Sequence, residues 1–103
     1  MKLEITPLDK LLQDSGVRVK VGDRKIAMFR VGNEVFAIGD VCSHAEASLA
    51  EGEVWDGSVE CPRHGSNFDL KTGEPGALPA TVAVPTYEVS VEDGTVFLIL
   101  EDQ

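Results

Sequence analysis

The chain has 103 residues, an apolar fraction of 43% and a formal net charge of −9 from 18 acidic and 9 basic residues. This length falls within the usual span of one domain, and the acidic balance disfavours nucleic acid and anionic membranes as partners. No apolar run approaches the roughly 18 residues that a membrane span requires, and no apolar signal-like segment begins the chain. We therefore expect a cytoplasmic protein without membrane contact.

The first segment predicts one or two helical turns. Thr6 has the character of an N-cap, Pro7 suits the first helical position, and Gly16 offers a stop. Residues 17 to 21 then alternate valine with a basic residue, which is typical of a strand with one buried face.

Three turn dipeptides, Gly32-Asn33, Asp56-Gly57 and Asp93-Gly94, predict antiparallel hairpins. Their strand segments are 26–31 with 34–38, 54–55 with 58–60, and 87–91 with 95–100. Six or more short strands without a long helical pattern indicate an all-β fold, an antiparallel sandwich or partly closed barrel.

The middle of the chain differs in composition from the strands around it. Residues from about 40 to 78 are rich in Gly, Ser, Pro, Cys and His and poor in β-branched side chains. We expect a loop-rich subdomain here, inserted into the base of a single domain that spans residues 1 to 103.

All cysteines and histidines of the chain fall into two short clusters, Cys42-Ser43-His44 and Cys61-Pro62-Arg63-His64. Packing alone gives no reason for each histidine to lie within three positions of a cysteine. The sequence therefore predicts one shared metal site, with a thiolate and an imidazole from each loop.

The spacing of these four residues leaves three interpretations open. A single zinc ion bound by Cys2His2 would make the chain a zinc-stabilised binding module without redox activity. A Rieske-type 2Fe-2S cluster binds one iron through two cysteines and the other through two histidines, and mixed Cys/His loops favour it. A disulfide with spectator histidines is the third possibility. No nucleophile and base stand out beyond these four residues, so we expect an electron carrier rather than an enzyme.

The runs CSHAEASLAEGEV and CPRHGSNFDLKTGEP resemble the two cluster-binding boxes of Rieske proteins. The resemblance implies one 2Fe-2S cluster, with Cys42 and Cys61 on the inner iron and His44 and His64 on the outer iron. It also implies a base domain of antiparallel strands that carries a smaller cluster-binding subdomain.

Two differences from the Rieske sequence pattern narrow the subfamily that the chain resembles. Ala47 and Arg63 stand where Rieske proteins of cytochrome complexes have an additional pair of disulfide-bonded cysteines. The chain therefore resembles the soluble ferredoxins of bacterial ring-hydroxylating oxygenases, which implies a flavin-dependent ferredoxin reductase and a terminal oxygenase as partners.

Residues around the boxes carry further expectations. The resemblance implies that Ser66 stands where Rieske proteins of high potential have a hydroxyl donor to a bridging sulfide. Phe68 stands where those proteins have a tyrosine, which would supply a second donor. We expect Trp55 to pack in the core or on its hairpin. Small or apolar residues are expected beside the exposed histidine edges: Ala45, Ala47 and Leu49. Two interpretations remain open for an acidic set, which either steers a basic docking face or forms a solvated acidic loop: Glu46, Glu51 and Glu53.

Overall fold

The computed structural model describes residues 1–42, 47–63, 66–76 and 82–100. Within these ranges the strands are β1 (Lys2–Pro7), β2 (Ser15–Val21), β3 (Arg24–Val31), β4 (Glu34–Gly39), β5 (Val54–Trp55), β6 (Ser58–Glu60), β7 (Asn67–Asp69), β8 (Thr86–Glu92) and β9 (Thr95–Ile99), with short 3-10 helices at Leu8–Lys10 and Leu49–Glu51. The same ranges contain no helix long and apolar enough to cross a membrane. The prediction of an all-β fold is confirmed.

The strands form two antiparallel sheets. Six of them make a curled sheet in the order β1-β9-β8-β4-β3-β2, and β5, β6 and β7 make a second, smaller sheet. The small sheet lies between β4 and β8 in sequence, and β4 and β8 themselves pair only through Ala37 with Tyr87 and Ile38 with Thr86. The chain thus leaves the curled sheet after β4, builds the small sheet, and returns at β8.

The three predicted hairpins are present as the antiparallel pairs β3–β4, β5–β6 and β8–β9. Positive φ occurs at both central residues of two turns, Asp56 and Gly57 at 52° and 77°, and Asp93 and Gly94 at 52° and 78°. This is the pattern of the type I′ turn, whose twist matches that of the flanking strands.

Strand β3 is buried on both faces and separates two cores. Ile26 and Met28 face the inside of the curled sheet, where they pack with Val96 and Leu98 of β9. The alternate residues belong to a second cluster, here called the cysteine core, which comprises Ala27, Phe29, Ile38, Cys42, Leu49, Val59, Cys61, Phe68, Leu70 and Val84. The small sheet therefore covers the outer face of β3 and β4.

One short helical turn does lie between Thr6 and Gly16, the 3-10 helix Leu8–Lys10, but its predicted start at Thr6 is wrong. Thr6 belongs to β1, Pro7 is the cap of a three-residue 3-10 helix, and Gly16 lies inside β2. The reason is a long-range pairing, since β1 runs antiparallel to β9 at the other end of the chain.

Lys2 on β1 also forms an ion pair with Glu92 at the end of β8. The hydrogen bond from Lys2 is the main reason that the pKa of the Glu92 carboxyl is lowered.

Gly16 allows the second 3-10 helix, Leu49–Glu51, to pack against the curled sheet. A Cβ atom at this position would lie 2.5 Å from Cε1 of Phe29 and 2.8 Å from the carbonyl oxygen of Ala50. Close approach of β2 to the second 3-10 helix therefore requires glycine here.

Gly16→Ala is expected to lower the free energy of unfolding by about 1–3 kcal/mol, because the Phe29 ring and the Ala50 backbone would have to move. Urea unfolding of the cluster-loaded protein measures this. The control Ser15→Ala, one residue earlier on β2, is expected to change it by less than about 0.5 kcal/mol. Equal losses in the two variants would contradict the close-approach argument.

Candidate metal centre

The first cysteine loop is closed by a short antiparallel stem. After β4 the chain continues through Asp40 and Val41, and Val41 pairs with Ser48 in an isolated antiparallel bridge. The amide of Cys42 then donates to the carbonyl oxygen of Ala47 at 3.0 Å. Cys42 consequently stands at the last position of this stem that the structure describes.

The second cysteine loop is closed in the same way. Glu60 at the end of β6 pairs with Asn67 of β7, and the amide of Cys61 donates to the carbonyl oxygen of Ser66 at 2.6 Å. In both loops a cysteine amide binds the carbonyl of the residue five positions later. The two loops therefore present their cysteines from equivalent positions, each at the end of a stem.

Both cysteine side chains are buried in the cysteine core, with 3% exposure for Cys42 and none for Cys61. Both lie in the described part of the chain and are present as thiols rather than as a disulfide. The two cysteines, nineteen positions apart in sequence, thus belong to the same buried cluster.

The two histidines, His44 and His64, lie outside the described residues. Among the residues that are described, no three Cys, His, Asp or Glu side chains gather as a metal site. The described region therefore supplies two of the four predicted ligands.

Ser66 and Phe68 are fully buried beside the second loop. Ser66 precedes β7, and its carbonyl oxygen accepts the hydrogen bond from Cys61. Phe68 lies on β7 in the cysteine core. Its ring supplies bulk there without the hydroxyl that a tyrosine would add.

Asp40 is a residue that the sequence analysis missed. Its side chain is 2% exposed, and its Oδ1 accepts hydrogen bonds from the Ser48 hydroxyl at 2.7 Å and the Ala50 amide at 3.0 Å. Its backbone accepts a further hydrogen bond from the Leu49 amide. Asp40 thus holds the returning side of the first loop; its place two residues before Cys42 was the available signal.

Arg18 of β2 reaches the same carboxylate. Its Nε lies 3.6 Å from Oδ2 of Asp40, and its Nη2 lies 3.2 Å from Oε2 of Glu51. The buried charge of Asp40 is therefore compensated by a cation as well as by hydrogen bonds, which burial of a carboxylate requires.

Two expectations about neighbouring residues are wrong. Trp55 is 80% exposed, because β5 turns Val54 toward the cysteine core and the next residue to the opposite face. Leu49 is fully buried in the cysteine core and so contributes no surface beside the loops. Ala47 is half-buried, and Ala45 and Glu46 lie outside the described residues.

The buried cysteine pair fits a Rieske-type cluster. Thiolates bind metal in their deprotonated form, and negative sulfur is stable in an apolar core only with a compensating cation. Two thiols buried in one apolar cluster suit the iron that is bound through cysteines alone.

The fold and the two buried cysteines agree with an iron–sulfur protein. A family model described as Rieske [2Fe-2S] domain matches residues 2–88, and the chain belongs to this family. It holds one Rieske-type 2Fe-2S cluster and serves in electron transfer rather than as an enzyme. The zinc alternative is not favoured.

Similar proteins are ferredoxins of dioxygenase systems. The anthranilate 1,2-dioxygenase ferredoxin subunit of Burkholderia cepacia is 43% identical over 89 residues, which are 86% of this chain and 82% of that protein. The ferredoxin of carbazole 1,9a-dioxygenase from Nocardioides aromaticivorans IC177 superposes with a TM-score of 0.93 at 32% identity, over 98% of this chain and 99% of that chain. A chain from a complex of reduced oxygenase and oxidized ferredoxin in carbazole 1,9a-dioxygenase gives 0.88 at 36% identity, over 94% and 91%.

Asp40→Ala is expected to lower the free energy of unfolding by about 1–3 kcal/mol, because the Ser48 hydroxyl and the Ala50 amide lose their acceptor in a buried place. Urea unfolding measures this. Asp40→Asn, which keeps an oxygen at the Oδ1 position, is expected to lose less. If Asp40→Ala unfolded like the parent protein, the carboxylate would not be what holds the first loop.

Proposed function

We propose that this chain carries single electrons from a flavin-dependent ferredoxin reductase to a terminal oxygenase in the cytoplasm. The observation that supports this most directly is the burial of Cys42 and Cys61 in one core, each at the start of a loop closed by the same backbone hydrogen bond. Two thiolates buried in this way would hold a Rieske-type cluster, and such a cluster would supply the one-electron chemistry of a carrier.

The proposed ligand set places Cys42 and Cys61 on the inner iron and His44 and His64 on the outer iron. Residues from about 40 to 78 act as the cluster-binding subdomain within the single domain of residues 1 to 103. The equivalent positions of the two cysteines support this assignment, because each stem ends at a buried thiol and each loop sequence then contains one histidine.

The residues of the cysteine core exclude water from the cysteine side of the site. Leu49, Val59 and Phe68 are each fully buried there. An apolar shell of this kind raises the cost of a further negative charge, so backbone and hydroxyl donors near the sulfur atoms matter for the reduction potential.

The proposed oxygenase partner is supported by the comparisons. One relative is a ferredoxin subunit of anthranilate 1,2-dioxygenase, and one matched chain comes from a complex of an oxygenase with a ferredoxin. The reductase follows from the same role, because a carrier that delivers electrons must first receive them.

A direct test of the ligand set is metal analysis of purified variants. The parent protein is expected to contain about two irons and two acid-labile sulfides per chain, with visible absorption that dithionite bleaches. Cys61→Ser is expected to lose most of this iron and sulfide, because a buried thiolate ligand is removed. The exposed neighbour Arg63, changed to Ala, serves as the control and is expected to keep full cluster content. Zinc in place of iron in the parent protein would overturn the proposed function.

Ser66 is proposed to donate a hydrogen bond from its hydroxyl to a bridging sulfide. Its complete burial beside the second cysteine loop, directly before β7, supports this role. Phe68 supplies no second hydroxyl, so we expect a reduction potential near the low end of the Rieske range of about −150 to +300 mV.

Ser66→Ala is expected to lower the reduction potential on the order of 60 mV, which corresponds to about 1.4 kcal/mol for a one-electron couple. The lost donor stabilises the more negative, reduced state. Protein-film voltammetry measures the shift, and Ser58→Ala on β6 is the matched control with no expected change. A potential unchanged in Ser66→Ala at full cluster content would rule out the donor role.

A further inference from the structure

Positive charge is concentrated in one hairpin of this acidic chain. Residues 18 to 30 contain five of the nine basic residues and a single acidic residue, Asp23. The rest of the chain carries seventeen acidic and four basic residues. The net charge of the β2–β3 hairpin is therefore positive, whereas that of the rest of the chain is negative.

Strand register places three of these cations on one face. Lys20 of β2 pairs directly with Lys25 of β3, and Arg18 pairs with Ala27. Directly opposed residues share a face, as do residues two apart on one strand. Arg18, Lys20 and Lys25, here called the basic shelf, thus extend the face whose next residues, Ala27 and Phe29, lie in the cysteine core.

The basic shelf adjoins the base of the first cysteine loop. The amide of Asp40 donates to the carbonyl oxygen of Lys25 at 2.9 Å, so the loop leaves the sheet beside this lysine. A cavity of about 340 Å³ lies at the junction, lined by Arg18, Lys25, Asp40, Val41, Ala47 and Ser48. Cations and a loop stem that ends at Cys42 therefore share one open cavity.

The two lysines of the shelf are not neutralised by their surroundings. Both are exposed, and among residues 1–42, 47–63, 66–76 and 82–100 neither forms an ion pair, whereas Arg18 is held by Glu51 and Asp40. Like charges directly opposed across a strand pair are destabilising. Lys20 and Lys25 are therefore available to bind an anion from outside the chain.

We propose that the basic shelf is a docking surface for a carboxylate-rich patch on a redox partner protein, which it brings to the side of the first cysteine loop. This deepens the proposed function and rests on it. Charge complementarity identifies the occupant: a compact acidic patch meets only the shelf, whereas a long polyanion such as duplex nucleic acid also meets the acidic surface around it. Val41, which is 45% exposed, adds an apolar contact beside the cations.

Binding of decaglutamate to the 15N-labelled, cluster-loaded protein tests the shelf. At an ionic strength of about 0.1 M, where the Debye length is about 10 Å, we expect saturable shifts of backbone amides in β2 and β3. The double variant K20E/K25E is expected to weaken the Kd at least about tenfold. The control K10E/K71E changes the net charge equally at two exposed lysines outside the hairpin and is expected to stay within about twofold.

Three results of this titration would overturn the proposal. They are no saturable binding, equal weakening in the two double variants, and amide shifts that lie away from β2 and β3. A short duplex DNA that bound the shelf at least as tightly as decaglutamate would reject a protein as the occupant.

Electron transfer to small oxidants gives a second readout. Each ferricyanide ion takes one electron from the reduced protein and leaves as ferrocyanide. K20E/K25E is expected to slow this reaction about tenfold more than K10E/K71E does, and not to slow oxidation by the cation hexaammineruthenium(III). Equal slowing by the two variants would overturn the shelf as the approach route. A purified protein without iron and sulfide would defeat the proposed function. The decaglutamate titration, carried out on that protein as purified, would still report on the shelf.

Discussion

Two equivalent backbone hydrogen bonds are the constraint on which the site depends. Each runs from a cysteine amide to the carbonyl of the residue five positions later, and each closes a loop at the edge of a strand pair. Because the amide is used in this way, the cysteine stays in register with the stem, and its side chain points into the core below. A pair of loops on separate sheets can then deliver thiols to one buried place.

The segment that follows the first cysteine loop must also be held against the curled sheet, and a few contacts do this. Asp40 binds the returning side of the first loop, and Gly16 allows the segment around Ala50 to approach β2 and Phe29. Strand β3 lies beneath both, with one face in each core. The position of the first cysteine therefore depends on a residue of β2, which is far from it in sequence.

The hairpins could be predicted because their information is local. Asp-Gly turns with positive φ specify both the turn and the pairing of adjacent strands. Strand β1 could not be found in this way, since its partner is β9 and its Thr-Pro end imitates a helix start. The cysteines could be located from their spacing with the histidines. The roles of Asp40 and of the basic shelf required knowledge of burial and strand register, which no short pattern contains.

Trp55 is the single tryptophan of the chain and therefore determines its tryptophan fluorescence. Its indole is 80% exposed in the native protein, so its surroundings there already resemble water. The emission wavelength will consequently change little when the chain unfolds, and fluorescence intensity is the quantity to follow. A molecule that covers this hairpin would shift the emission to the blue, which makes the indole a built-in reporter of surface association.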